Sequence, residues 1–230
     1  MFKIHKYDIW KKGENRMNKT EILSHIDHTL LKPFATWDQI KKLCEEATCN
    51  HTASVCVPPC YVKKIRSKFP DLRICTVIGF PLGYETLEGK IADTKQCLSD
   101  GADEIDMVIN ICEVKNGDYN AVKDEIVKLR KITEGKILKV IIETCYLTEE
   151  EKIHLCDIVT EAGADYIKTS TGFGTEGATT DDIRLFKEHI GPNVLIKAAG
   201  GIRTAVQAEE YLELGCDRIG ASSVVGDINA

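Results

Sequence analysis

Eight short apolar runs rich in β-branched residues recur along the chain. They lie at 25–29 (HIDHT), 52–57 (TASVCV), 73–80 (RICTVIGF), 104–110 (EIDMVIN), 138–144 (LKVIIET), 166–171 (YIKTST), 194–200 (VLIKAAG) and 218–223 (RIGASS). Runs of this length and composition predict strands. Between them, segments 36–49, 59–68, 85–99, 119–133, 148–162, 180–189 and 204–214 carry apolar residues at i, i+3 and i+4. They begin with Thr or after Pro and Gly, which predicts helices, and Gly163 and Gly215 supply stop signals for two of them. Strands alternating with helices imply βαβ units and parallel pairing. Eight such units in about 205 residues predict an α/β fold, a closed (β/α)8 TIM barrel near its lower size limit. An open doubly wound sheet would carry a glycine fingerprint after the first strand, and IDHTLLKP contains no glycine. Only seven residues follow Ser223, so the last helix is expected to be truncated.

Composition narrows the class without changing that picture. The 230 residues are 43% hydrophobic and 29% charged with a formal net charge of −6, which excludes wholesale disorder and low-complexity classes. No apolar run approaches the roughly 18 residues needed to span a bilayer. The acidic balance gives no global reason to bind nucleic acid or an anionic membrane, so neither is expected as a partner. No composition break divides the chain. One barrel domain is expected over 20–230, preceded by an extension over 1–19 that carries six Lys/Arg against two acids. Ten cysteines without a secretory signal pattern are expected to be reduced, and the protein to be cytoplasmic.

Charge inside strands is the first chemical signal. Asp106 interrupts the fourth strand, Lys168 the sixth and Lys197 the seventh. If Ile105, Met107, Ile167 and Ile196 face the helices, alternation sends the three charged side chains into the barrel. Unpaired buried charge costs several kcal/mol, so these groups require partners. A structural ion pair would satisfy that need. A functional reading is also open, because a partly desolvated lysine beside a second cation has its pKa lowered and can act as a Schiff-base nucleophile. A carboxylate within reach would move the protons. Lys139 and Glu143 in the fifth strand are further candidates for inward-facing groups, either orienting the lysines or forming a barrel ion pair.

Phosphate recognition is the second signal. Ala199-Gly-Gly-Ile-Arg203 follows the seventh strand and Gly220-Ala-Ser-Ser223 ends the eighth. Loops at these places in such a barrel commonly hold a phosphate against backbone N–H groups and a short helix. Metal chemistry is not expected. His25 and His28 are spaced to point to opposite faces of a strand, and the cysteines lack zinc-site spacing.

These residues match a known family as a set. The stretches IDHTLLKP (26–33), VCVPP (55–59), VIGFPLG (77–83), EIDMVIN (104–110), LKVIIET (138–144), AGADYIKTSTGFG (162–174), IKAAGGIRT (196–204) and IGASS (219–223) resemble deoxyribose-phosphate aldolases. The resemblance spans about residues 22–224. It implies a (β/α)8 barrel, no cofactor, and metal-free reversible cleavage of 2-deoxy-D-ribose 5-phosphate to D-glyceraldehyde 3-phosphate and acetaldehyde, in deoxyribonucleotide catabolism. On the same resemblance Lys168 is the Schiff-base lysine, Lys197 the second lysine of the proton relay and Asp106 the acid/base that works through water. Asp27, Thr29 and Cys56 match residues near the substrate, and Gly172, Gly200, Gly201, Arg203, Gly220, Ser222 and Ser223 match phosphate-binding loops.

Two departures stand out. Phe173 occupies a position where some relatives have lysine, and no tyrosine ends the chain, so phosphate binding should rest on backbone N–H groups and Arg203, and protonation on Asp106, Lys197 and water. A homodimer or homotetramer is the expected assembly. The competing readings are another Schiff-base lyase or isomerase of sugar phosphates, and a non-catalytic sugar-phosphate-binding barrel.

Overall fold

Helix starts along the chain are set by side-chain caps. In the computed structural model, which describes residues 17–230, Thr36, Thr148 and Thr204 each accept a bond from the backbone three residues on, and Gln39, Glu151 and Gln207 return it. Thr86 and Thr179 cap two further helices in the same manner. The helices are α1 (Lys19–Ser24), α2 (Trp37–Asn50), α3 (Val62–Lys68), α4 (Leu87–Ser99), α5 (Ile111–Asn116), α6 (Tyr119–Ile132), α7 (Glu149–Glu161), α8 (Thr180–His189), α9 (Ala205–Glu213) and α10 (Val224–Asn229). The strands are β1 (Ile26–Thr29), β2 (Ser54–Val57), β3 (Ile74–Ile78), β4 (Glu104–Val108), β5 (Ile137–Ile141), β6 (Tyr166–Lys168), β7 (Leu195–Ala199) and β8 (Arg218–Ala221).

Every neighbouring pair of strands is parallel, and β8 returns to β1, so the sheet closes into the expected eight-stranded barrel. The expected truncated last helix is α10. Two short helices escape the sequence pattern, because α1 and α5 each have six residues, under two turns. Of the expected N-terminal extension, residues 1–16 lie outside the described residues, while Lys19 already opens α1, whose Ile22 and Leu23 are buried. Among the described residues no helix is long and apolar enough to cross a membrane.

Alternation along the strands separates two interiors. Val55, Ile74, Ile105, Met107, Leu138, Val140, Ile167, Ile196 and Ile219 face outward and pack with the helices into the main hydrophobic core. The barrel interior instead holds charge (Asp27, Glu104, Asp106, Lys139, Lys168, Lys197 and Arg218, all buried) beside one small apolar group of Cys56, Cys75 and Val77. One further buried ion pair supports the site from outside the barrel. Lys90 on α4 donates to Glu125 Oε1 at 2.5 Å and to the Val108 carbonyl at 2.8 Å, while Asn110 N–H donates to Glu125 Oε2 at 3.2 Å. This ties α4 and α6 to the end of β4, two residues beyond Asp106.

Glu125→Leu would leave the Lys90 ammonium buried without a counter-charge. The expected loss of unfolding free energy is about 3–5 kcal/mol, read from urea midpoints at unchanged slope; a loss below about 1 kcal/mol would contradict this role.

Candidate active site

Strand register brings the predicted groups together. Lys168 and Lys197 are direct neighbours on β6 and β7, and Asp106 and Lys139 are direct neighbours on β4 and β5. Residues paired in parallel register point to one face, so the two lysines rise side by side from backbones about 4.8 Å apart. Their repulsion is relieved by Asp106. Its Oδ2 accepts from Lys168 Nζ and from Lys197 Nζ, each at 2.7 Å, while its Oδ1 accepts from Lys139 Nζ at 2.9 Å. One carboxylate thus serves three ammonium groups.

A second tier lies beneath it. Lys197 also donates to Asp27 Oδ2 at 2.5 Å, and Lys139 to Glu104 Oε2 at 2.5 Å. Arg218 bridges the two acids, reaching Asp27 Oδ1 at 2.5 Å and Glu104 Oε2 at 3.2 Å, and Ser54 Oγ donates to Asp27 Oδ1 at 2.7 Å. Sequence reading set two lysines against one carboxylate; the barrel holds four cations against three carboxylates. With all seven ionised the cluster carries one positive charge in excess.

The electrostatics follow from that crowding. Burial alone would raise the Asp106 carboxyl, but Lys139, Lys168 and Lys197 hold it well below the usual carboxylate range. Asp27 is likewise held low, with Lys197, Lys139 and Arg218 overcoming burial. Burial works against the charge of Lys197 as well, yet Asp106 and Asp27 push it above the ordinary lysine value. The same balance, led by Asp106 among the anions, raises Lys139. The second lysine is therefore a firmly held cation.

A cavity of about 320 Å³ opens above this cluster at the carboxyl ends of the strands, and Lys168 is the one lysine of the network that lines it. Thr29, Gly172, Gly200, Gly201, Gly220 and Ser222 line it too, as do Lys32, Thr171 and Phe173. Gly172, Gly200 and Gly201 have φ of 83°, 85° and 78°, the left-handed region that favours glycine. A Cβ at Gly220 would come within 3.2 Å of Lys197 Cε, so this glycine also makes room for the buried lysine. Other expected residues lie elsewhere. Asp27 and Cys56 are fully buried beneath the cavity. Arg203 and Ser223 are exposed and do not line it, with Ser223 Oγ donating to the Arg203 carbonyl at 3.0 Å.

Of the two fifth-strand candidates, Lys139 joins the cluster and Glu143 does not. Glu143 sits just past β5 at φ 54° and accepts from both the backbone N–H and the hydroxyl of Thr171. This clamps the loop after β6 against the cavity. Burial raises the Glu143 carboxyl, against the opposing effect of its Thr171 bonds. Sequence reading missed Lys32, which lies in a loop without periodicity, and Thr171, which it placed at the end of the sixth strand although β6 ends at Lys168. The basic Lys32 beside the first strand was the available signal.

Among the described residues, two sets of donors are close enough to hold a metal ion: Cys56, Cys75 and Asp106, and Asp27, Cys75 and Glu104. Their carboxylates already accept from lysine and arginine, so a divalent ion would enter among those cations. The donor sets do not suit one. His25 and His28 share no site, since His25 Nδ1 bonds the Asp217 carbonyl and His28 Nε2 bonds Glu46.

Comparison with known proteins gives a consistent family. The profile of the DeoC/LacD family aldolases matches residues 22–223. A deoxyribose-phosphate aldolase of Clostridium botulinum is 64% identical over 211 residues, covering 91% of this chain and 96% of that protein. One from Thermococcus kodakarensis is 53% identical over 215 residues, covering 91% of this chain and 96% of that protein. The tetrameric deoxyribose phosphate aldolase of Aeropyrum pernix superposes with a TM-score of 0.86 at 32% identity, covering 92% of this chain and 91% of that one.

Asp106→Asn should lower stability at pH 7 by on the order of 3–5 kcal/mol. A depressed carboxyl contributes stability that is present above its unfolded value, about pH 4, and lost as the pH falls through its folded value. The gap between variant and wild type should therefore narrow below about pH 4. A gap that widens on acidification would contradict the assignment.

Proposed function

Because this chain belongs to the DeoC/LacD family of aldolases, we propose that it cleaves 2-deoxy-D-ribose 5-phosphate reversibly to D-glyceraldehyde 3-phosphate and acetaldehyde, through a Schiff base on Lys168. The observation that carries the reading is the position of Lys168 alone among three clustered lysines at the cavity wall, with Asp106 2.7 Å from its Nζ. The cavity falls at the small end of the range for metabolite sites.

The attacking amine must be unprotonated. Lys168 is the lysine of the cluster that faces the substrate. Its nitrogen adds to the open-chain C1 aldehyde, and loss of water gives an iminium. That cation forms where an ammonium stood, so Asp106 keeps an opposite charge at 2.7 Å through the step. The iminium draws electrons as the C2–C3 bond breaks, the C3 hydroxyl gives up its proton, and glyceraldehyde 3-phosphate leaves. The remaining enamine is protonated at C2, and water releases acetaldehyde. Asp106 handles the protons with a bridging water, and Lys197, held as a cation, keeps Asp106 ionised between transfers.

At the far end, backbone N–H groups at Gly172, Gly200 and Gly201, the Ser222 hydroxyl and the Lys32 ammonium take the phosphate. Thr29 and Gly220 line the space between, while Asp27 and Cys56 act from beneath. Arg203 and Ser223 take no direct part, so the backbone and Lys32 compensate for phenylalanine at 173. Binding the remote phosphate positions the reacting carbon and removes entropy from the barrier. The reaction belongs to deoxyribonucleotide breakdown in the cytoplasm, and the working assembly is a homodimer or homotetramer.

Release of glyceraldehyde 3-phosphate from deoxyribose 5-phosphate, followed through a coupled dehydrogenase, tests the reading. Lys168→Arg should lose on the order of 10⁴ or more in kcat, and chelator should leave the wild type unaffected. Wild-type protein inert toward this substrate would overturn the proposal. Lys32→Ala should raise KM for deoxyribose 5-phosphate by about five- to tenfold, the scale of one screened charge-assisted hydrogen bond. The same variant should treat unphosphorylated 2-deoxyribose as the wild type does; equal losses on both would remove Lys32 from the phosphate site.

A further inference from the structure

The small apolar group inside the barrel contains two thiols that take no chemical step in the mechanism above. Cys56 on β2 and Cys75 on β3 are register partners in parallel strands, so both side chains point inward from backbones about 4.8 Å apart. Their sulfurs and an Asp106 oxygen all lie within 4.8 Å of one another. All ten cysteines are free in this structure. The Cα spacing of a disulfide runs from about 4.4 to 6.8 Å, which includes this strand spacing. We propose that Cys56 and Cys75 form an oxidisable dithiol that hydrogen peroxide, or another small two-electron oxidant, closes to an intrachain disulfide beneath the active site.

The two thiols are chemically unequal in the sense this reaction needs. Contact with Cys75, with Lys197 and Lys168 nearby, lowers the Cys56 thiol despite burial and the opposing charge of Asp106. Burial, contact with Cys56 and the charge of Asp106 push the Cys75 thiol well up. Cys56 is thus the readier nucleophile and Cys75, whose proton goes to Asp106, the resolving partner. The Cys56 sulfur attacks one peroxide oxygen, the O–O bond breaks, and the departing hydroxide takes a proton to become water. The Cys75 sulfur then attacks the resulting sulfenic acid, forms the S–S bond and expels a second hydroxide, which takes the thiol proton. Two thiols are oxidised, and one peroxide is reduced to two waters.

Access and consequence follow from the same neighbours. A second, apolar recess of about 460 Å³ adjoins the main cavity and is lined by Leu31, Val77, Phe80 and Phe173. Val77 belongs to the cluster of Cys56 and Cys75, and Leu31 and Phe80 cover that cluster. A small neutral oxidant therefore meets one layer of side chains before the sulfurs. In the reduced protein Cys75 Sγ donates to Asp106 Oδ1 at 3.1 Å and lies 3.4 Å from Lys139 Nζ. A disulfide draws that sulfur to about 2.05 Å from its partner and removes its proton, so Asp106 loses one of its donors. Closure should slow the carbon–carbon cleavage by about tenfold or more, because rate depends steeply on where reacting groups sit.

The test treats the full-length reduced protein with hydrogen peroxide, blocks remaining thiols under denaturing conditions, and maps tryptic peptides without reductant. Lys63, Arg66 and Arg73 separate the two cysteines, so trypsin leaves them on different peptides. The expected result is peptide 43–63 joined to peptide 74–90, with fragmentation placing the bridge on Cys56 rather than Cys44, Cys49 or Cys60, in proportion to the activity lost and reversed with it by dithiothreitol. In Cys75→Ala, peroxide should leave Cys56 without an intrachain cross-link, as sulfenic or sulfinic acid. In the wild type, Cys56 and Cys75 both found blocked, at peroxide levels where fragmentation places oxidation on the exposed Cys49, Cys60 or Cys112, would overturn the proposal. So would Cys56 found only as sulfinic acid, or a complete cross-link with unchanged cleavage. The cross-link is read by mass independently of the reaction, so a cross-linked chain inert toward deoxyribose 5-phosphate even before oxidation would fault the aldolase reading instead.

Discussion

One carboxylate shared by three ammonium groups sets the terms for the rest of this barrel. Asp106 is fully buried and would be too costly to ionise alone, yet Lys139, Lys168 and Lys197 converge on its two oxygens. Removing Asp106 leaves the lysines uncompensated in a medium where they cannot be solvated. The arrangement is therefore mutually dependent: the lysines keep Asp106 ionised, and Asp106 allows two lysines to sit side by side on β6 and β7. Asp27, Glu104 and Arg218 complete the balance one layer down, and their total falls one negative charge short. That shortfall turns a structural ion cluster into a reactive one, because a positive centre at Lys168 can change its chemical identity while its counter-ion stays in place.

Backbone geometry makes the cluster possible. Parallel closure fixes which strands are neighbours, and alternation sends every second side chain inward, so the charged positions meet without any loop placing them. Apolar cohesion is supplied outside the barrel, between strands and helices, which leaves the interior free to hold polar groups. Substrate contacts are handled differently. They come from loops beyond the strand ends, where glycines at positive φ expose backbone N–H groups and Glu143, itself in a left-handed conformation, clamps Thr171. Rigid strands hold the reacting groups, and loops hold the part of the substrate that does not react.

Much of this was legible because charges interrupting apolar strands are conspicuous. Asp106, Lys168 and Lys197 stand out within EIDMV, YIK and LIK, and alternation alone gives their direction. Glu104 and Arg218 escaped notice because each begins its strand, where a charge reads as a solvated end. Asp27 was grouped with the pocket, whereas the register places it against Ser54 and Gly220, under the cavity and bonded to Lys197 and Arg218. Lys32, Thr171 and the placement of Arg203 depend on loop conformation, which no periodicity encodes. The carboxyl ends of β3 to β8 were read one to three residues long, and at β4 and β5 the cause is apolar character that continues past the last ladder bond, at Ile109 and Ile142.

The account rests on Lys168 being the amine that meets the aldehyde, with its two lysine neighbours confined to electrostatic support. Reduction with borohydride in the presence of acetaldehyde, followed by mass mapping of the modified peptide, reads that directly. The account predicts a single ethyl group on Lys168, with Lys139 and Lys197 unmodified. An ethyl group on Lys197 or Lys139, or no stable adduct from active protein, would contradict it.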